Sequence, residues 1–302
     1  MTISNSTHPR AIAFALAGFT LWAGSDAFAK LAGELGVPRY EIITLSSFSG
    51  LIVILLFSLL RGNLSRLRPR HIKGLGLMGL MFASNYVFLL AALAHLPLAN
   101  LYTVTFLSPL LVAALAAKVF QEKLDTRKLL AILAGFAGVV IAVNPSYVFQ
   151  DRNLWLGYGA AFGALLTVAG QQFIMRFLSD HESRESIAFY PRVVGLIGGL
   201  VATLTLGLQF PPTMGLLYSL AGGVTGGIGW LVLAHAFRLA PTAIVASFHY
   251  AQMIVAACIG YLVWHDVPSL HLEVGAFVII LSGLYIIRHA RKTESMVTET
   301  PV

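Results

Sequence analysis

The sequence predicts an all-α integral membrane protein, with ten transmembrane helices in two inverted five-helix repeats and both termini cytoplasmic. Three observations predict it. The 302 residues are 57% hydrophobic and only 11% charged. The basic residues crowd into alternate loops. The two halves also resemble each other at a fixed offset of 144 residues.

Soluble domains carry about 25% charged residues. This chain carries less than half that, and its mean hydropathy is +0.80. A membrane-crossing helix needs about 20 apolar residues. Ten segments meet that need: 11–32, 40–60, 72–93, 98–119, 127–144, 154–176, 186–207, 214–236, 242–264 and 271–289. Lipid offers the backbone no hydrogen-bond partner, so the segments must be helices. The alternating ten-residue pattern of a membrane barrel does not occur. Ala27-Phe28-Ala29 mimics a signal-peptide cleavage site. Only Arg10 precedes it as a firm positive charge, and many spans follow, so the first segment reads as a retained helix.

The charges test this division span by span. With the N-terminus inside, Arg10 precedes the first helix. Arg61, Arg66, Arg68, Arg70 and Lys73 follow the second; Lys118, Lys123, Arg127 and Lys128 follow the fourth. Arg176 and Arg184 follow the sixth, Arg238 the eighth, and Arg288, Arg291 and Lys292 the tenth. Outside stand only Lys30, Arg39 and Arg152, and Arg192 lies within a span. This is a strong positive-inside bias, which an error of one span would scramble. The net charge of +7 therefore reads as a topology signal. No basic stripe with interleaved aromatics points to nucleic acid. The single cysteine, Cys258, makes neither an intramolecular disulfide nor a cysteine metal cluster.

The repeat is visible in HLPLANLYTVTFLSPLLVAALAAKVFQEKL (95–124) against LAPTAIVASFHYAQMIVAACIGYLVWHDVP (239–268). Pro97 falls on Pro241, Ala99 on Ala243, Phe106 on Tyr250 and Glu122 on Asp266. The same offset puts Gly79 on Gly223 and Tyr86 on Trp230. The halves divide at 1–145 and 146–302. Five helices per half is an odd number, so the second half enters the membrane upside down. Inverted repeats of this kind are a hallmark of secondary transporters, whose halves alternate in opening a central site.

The tandem five-helix halves, the Pro-Ala turns before helices four and nine, and the spacing from Glu122 to Gly138 resemble the EamA-type transporters of the drug/metabolite transporter superfamily. The resemblance covers nearly the whole chain. It implies a bacterial inner-membrane permease with a central cavity, moving amino acids, vitamins, nucleotides or related metabolites, commonly outward. Family members often carry an arginine in helices two and seven. Arg192 matches the second of these, while Phe48 stands at the first. The segment with Asp26 and Lys30 resembles permeases for riboflavin, S-adenosylmethionine and amino-acid-derived metallophores, without selecting a substrate.

Intramembrane polar groups mark the candidate site, because they are costly in hydrocarbon and face protein or water. Asp26 lies roughly 22 Å along the first helix. Lys30 is one turn further out on the same face. The two form either a neutralised pair at the outer helix end or a gate and coupling site that carries a proton. Arg192 either grips a carboxylate or phosphate or snorkels to headgroups. His249 and Tyr250 lie two turns into the ninth helix. One of Gln171 and Gln172 should face the cavity. Trp22, Tyr86 and Trp230 sit inside spans, where they can stack a planar substrate part. Trp155, Trp264 and Tyr102 sit at span ends and read as interfacial aromatics. GGVTGGIG (222–229) contains GxxxG steps for close helix packing and lacks the Lys-Ser/Thr of a phosphate loop.

No cofactor or metal ligand set is expected. No ATP motif appears, so transport must run on a gradient of substrate or ions. The partners expected are a small-molecule substrate, membrane lipid and a coupling proton, with the chain a monomer or homodimer. The preferred reading is an exporter of a small amphipathic metabolite, an amino acid or a zwitterion derived from one, metallophores included. Its rivals are an uptake permease for a vitamin or nucleotide-like metabolite, a non-transporting membrane partner, and an intramembrane lipid enzyme. The enzyme would need Asp26 and His249 to converge from opposite sides of the membrane.

Overall fold

The structure is a computed structural model. It describes residues 8–108, 110–112, 115, 126–144, 151–179, 181–239, 245, 248–267 and 269–298. The side chains of 8, 9, 126–129, 132, 176, 179, 250, 251, 253, 283 and 286–298 also fall outside the description. Among the described residues the regular elements are helical. They are α1 (His8–Glu34), α2 (Arg39–Leu60), α3 (Ile72–Leu93), α4 (Leu98–Thr105), α5 (Thr126–Val143), α6 (Arg152–Ser179), α7 (Arg184–Leu206), α8 (Thr213–Leu239), α9 (His249–Trp264) and α10 (Leu270–Thr298). A single 3-10 turn, Leu64–Leu67, lies between α2 and α3. Glu122, Pro241, Ala243 and the predicted division at 145/146 lie outside the described residues.

Five described helices are long and apolar enough to cross a bilayer: Arg10–Glu34, Arg39–Leu60, Ile72–Leu93, Arg184–Leu206 and Thr213–Leu239. Shorter apolar stretches run at Leu98–Val112, Leu133–Val143, Ile254–Trp264 and Leu270–Ser282. The helices carry large apolar side chains outward as well as inward. Leu60 is 88% exposed and Leu204 84%, while Leu166 and Val87 also stand clear of the protein. Water would penalise such a surface, and acyl chains would not. The protein is a multi-pass membrane protein.

Local chemistry sets the helix ends. Ser183 caps α7, its hydroxyl accepting from the Ser186 amide at 2.9 Å. This satisfies one of the free N–H groups of a helix start, and Glu185 in the first turn complements the helix dipole. α7 stops at Gly207, whose φ of +95° suits glycine and few other residues.

α1 lies along α8, and α3 along α6. α2 packs on α8 and α7 on α3, while α2 and α7 touch each other. α4 meets α6 and α9, and α9 meets α1. α5 and α10 pair with each other, with Gly138 against Gly275. The glycine run of α8 makes the close approach to α2. A Cβ on Gly223 would collide with Ser49 Oγ and Ser46 O, and one on Gly227 would press on Gly50. This is the packing role expected of GxxxG steps.

Two polar clusters tie linkers together at opposite ends of α2. At its C-terminal end, Glu182 Oε1 accepts from the amides of Arg70 at 2.6 Å and His71 at 2.5 Å. Ser183 and Ser186 donate to the Arg66 carbonyl. Tyr190 donates to Leu67 O at 3.0 Å, and Arg238 to Glu182 O at 3.0 Å. At the other end, Glu41 accepts from the Gln209 amide at 2.6 Å, and Tyr40 donates to Gly207 O at 2.9 Å.

Candidate functional site

The central cavity, about 90 Å³, is built by one face from each of several helices. α1 supplies Trp22, Ser25 and Asp26, and α3 supplies Phe82, Asn85, Tyr86 and Leu89. These are i, i+3, i+4 and i+7 spacings, which lie on one side of a helix. α8 contributes Gly226 and Trp230, α9 contributes His249 and Gln252, and α6 contributes both Gln171 and Gln172. α2 adds Ser46, α4 adds Tyr102, and α7 adds Arg192. Among the described lining residues none comes from α5 or α10.

A hydrogen-bonded chain surrounds Asp26. Tyr102 donates its phenol proton to Asp26 Oδ2 at 2.5 Å. Gln252 Nε2 in turn donates to the Tyr102 oxygen at 3.0 Å. His249 is 3% exposed, stacked on Phe19 at 4.8 Å and edge-on to Phe106 at 5.3 Å. Its Nδ1 and the Oε1 of Gln252 have no hydrogen-bond partner.

Donors line the cavity as well. Arg192 is buried, and its Nη1 donates to Ser46 O at 3.1 Å. Its Nε has no hydrogen-bond partner, nor does Nε1 of Trp22. Two glycines make room for the guanidinium: a Cβ on Gly50 or Gly226 would strike it. Pro191 precedes Arg192 within α7 and removes the N–H that would bond the carbonyl of Ile187. Tyr86 donates to Ser46 Oγ at 3.0 Å, and Ser46 Oγ donates to Ser219 O at 2.9 Å. Trp22 and Trp230 lean on each other at 5.0 Å, with Phe82 edge-on to Trp230 at 6.2 Å.

Asp26 and Arg192 line the same cavity, yet neither has an ion-pair partner among the described residues. An unpaired charge in a dry interior is costly. The cavity can therefore receive a ligand that carries both charges.

Several expectations change. Lys30 does not neutralise Asp26. It reaches Asp266 Oδ2 at 3.7 Å and lies 4.2 Å over the Trp264 ring. Trp264 Nε1 donates to Glu34 Oε2 at 2.8 Å. The i, i+4 rule gives a shared face but not the neighbour that face meets. Arg192 does not snorkel outward, and Phe48 is 51% exposed and turned away from the centre. Both glutamines line the cavity, where one was expected. Asp26 and His249 line one cavity. Tyr102 is 4% exposed and belongs to the cavity rather than to the lipid interface. The side chain of Tyr250 lies outside the described residues.

Sequence reasoning missed Gln252, Ser46 and Ser25. Gln252 had one signal, its i+3 spacing from His249. Ser25 and Ser46 had none, since serine is at home on many packed membrane-helix faces.

Known proteins agree with this architecture. The EamA-like transporter family model matches residues 9–144. An S-adenosylmethionine uptake transporter of Rickettsia bellii is 25% identical over 280 residues, covering 90% of this chain and 91% of its own. A pseudopaline exporter of Pseudomonas aeruginosa is 27% identical over 280 residues, covering 90% and 94%. A solved crystal structure with 20% sequence identity superposes with a TM-score of 0.68, covering 95% of this chain and 99% of its own. It has the same overall fold. Residues 9–144, just under half of the chain, match the EamA-like transporter family, and the chain is a transporter rather than an enzyme.

Proposed function

We propose that the chain is a ten-helix secondary transporter of the bacterial cytoplasmic membrane. It exports a small amphipathic metabolite, an amino acid or a zwitterion derived from one. The observation that carries this reading is the pair of unmatched charges, Asp26 and Arg192, in one cavity. An ammonium at Asp26 and a carboxylate at Arg192 would satisfy both charges at once. Arginine suits the second task because its planar fork matches a carboxylate. Trp22, Tyr86 and Trp230 offer ring faces to the rest of the molecule.

Alternating access rests on the inverted repeat of 1–145 and 146–302. The offset of 144 relates α1 to α6, α2 to α7, α3 to α8 and α4 to α9. Under it the contact of α1 with α8 becomes that of α6 with α3, and α2 with α8 becomes α7 with α3. The contact of α1 with α9 becomes that of α6 with α4. Packing that maps onto itself supports two halves able to exchange roles. In this topology both termini, and the cluster around Glu182, face the cytoplasm. Asp26 is the group placed to couple transport to a proton.

Uptake of an S-adenosylmethionine-like substrate is the second reading. It is favoured by the relatives bearing that name and by rings that can stack a base. Direction is decided by comparing metabolites in spent medium and cytosol of cells lacking and overexpressing the protein. A compound enriched in the medium on overexpression and retained in the deletion strain establishes export. A compound depleted from the medium on overexpression reverses the direction.

A further inference from the structure

Hydrogen bonds have a direction, and the chain Gln252–Tyr102–Asp26 runs one way. Gln252 Nε2 donates into the Tyr102 oxygen, and the Tyr102 hydroxyl donates into Asp26 Oδ2. Gln252 is 2% exposed and Tyr102 4%, so no bulk water competes for these groups. A phenol has one proton to give. With an amide N–H already directed at its oxygen, that proton is held toward Asp26. What Asp26 then offers the cavity is acceptors alone, because an ionised carboxylate has no donor. Two other polar atoms at this end have no hydrogen-bond partner among the described residues: Gln252 Oε1, an acceptor, and His249 Nδ1, which accepts in one imidazole tautomer and donates in the other. No described lysine, arginine or histidine forms an ion pair with Asp26.

We infer that Tyr102 and Gln252 are positioning residues that set substrate specificity. They hold Asp26 as an acceptor-only subsite for a cationic nitrogen bearing N–H groups, a primary ammonium above all. This inference rests on the reading of the cavity as a zwitterion site and adds which zwitterions it takes. A quaternary ammonium has the charge but no proton to place on Asp26. A hydroxyl in the same position has a proton but no charge. Hydrogen bonds to charged groups are roughly twice as strong as neutral ones. Both replacements should therefore bind at least about tenfold more weakly.

The test uses the full-length chain purified in detergent and follows ligand-induced thermal stabilisation. Three probes are compared: the pooled twenty amino acids with S-adenosylmethionine added, the matching N,N,N-trimethyl betaines, and the matching 2-hydroxy acids. The expected result is stabilisation by the first pool at concentrations at least about tenfold below the other two. Equal stabilisation by amino and hydroxy pools would overturn the inference while leaving the carboxylate side of the zwitterion reading intact. Stabilisation by no pool would overturn both. Tyr102→Phe and Gln252→Met supply the second measurement. A merely structural role would weaken all three pools together. The inference expects instead that the ratio between amino and hydroxy pools collapses toward unity. An unchanged ratio in a variant that remains folded contradicts it, and the wild-type comparison stands even where a variant does not fold.

Discussion

The cavity and the cluster around Glu182 are both built from polar side chains within an apolar protein, yet they spend their hydrogen bonds differently. Around Glu182 the bonds run mostly from side chain to backbone: the Arg70 and His71 amides, and the Arg66 and Leu67 carbonyls. Such bonds pin chain segments, and here they fasten the α2–α3 linker to the start of α7. In the cavity side chains also bond one another, from Gln252 to Tyr102 to Asp26 and from Tyr86 to Ser46. Two opposite charges there have no partner of opposite sign among the described residues. The first arrangement serves the fold. The second leaves two charges unmatched, as the proposed ligand site requires.

That contrast predicts opposite phenotypes. Arg192→Gln should give the largest effect, lowering transport on the order of 100-fold, because a charge-assisted bond to substrate is lost. Folded yield should change little, measured by size-exclusion chromatography beside the transport assay. Trp230→Ala should lower transport roughly tenfold through lost ring contact, again with folded protein recovered. Unchanged transport would remove Trp230 from the site. Glu182→Ala should reverse the pattern. Two backbone amides lose their acceptor, which costs about 1–3 kcal/mol of stability, while ligand affinity at the cavity stays put. Thermal unfolding with and without ligand separates the two outcomes. Lys30→Met should be mildest, at most about 1 kcal/mol, since the pair with the one-third-exposed Asp266 is screened. Thermal unfolding across a salt series checks it.

The sequence made the membrane helices legible because hydropathy and loop charge are local properties, and membrane physics leaves few alternatives to a helix. α2, α3 and α7 lie within a few residues of the predicted 40–60, 72–93 and 186–207. The packing role of Gly223 was legible too, since small residues in an oily run permit close approach. Tyr102 was not. Its height near the start of a span suggested lipid headgroups, and nothing local disclosed that Asp26 and Gln252, 76 and 150 residues away, would meet it. Lys30 failed for the same reason. Helical spacing places it with Asp26, but Asp266 approaches from 236 positions further along the chain and takes it. Spacing tells which residues share a face, and only packing tells what that face meets.

The central claim is that Asp26 and Arg192 hold opposite ends of one zwitterion. A paired binding measurement on two variants tests it most directly. Asp26→Asn and Arg192→Gln proteins are each titrated with an amino acid taken from the stabilising pool, its decarboxylated amine and its deaminated acid. Asp26→Asn is predicted to lose the amine while keeping the acid near wild-type affinity, and Arg192→Gln to lose the acid while keeping the amine. Loss of both analogues in both variants, with folded protein in hand, would contradict the account.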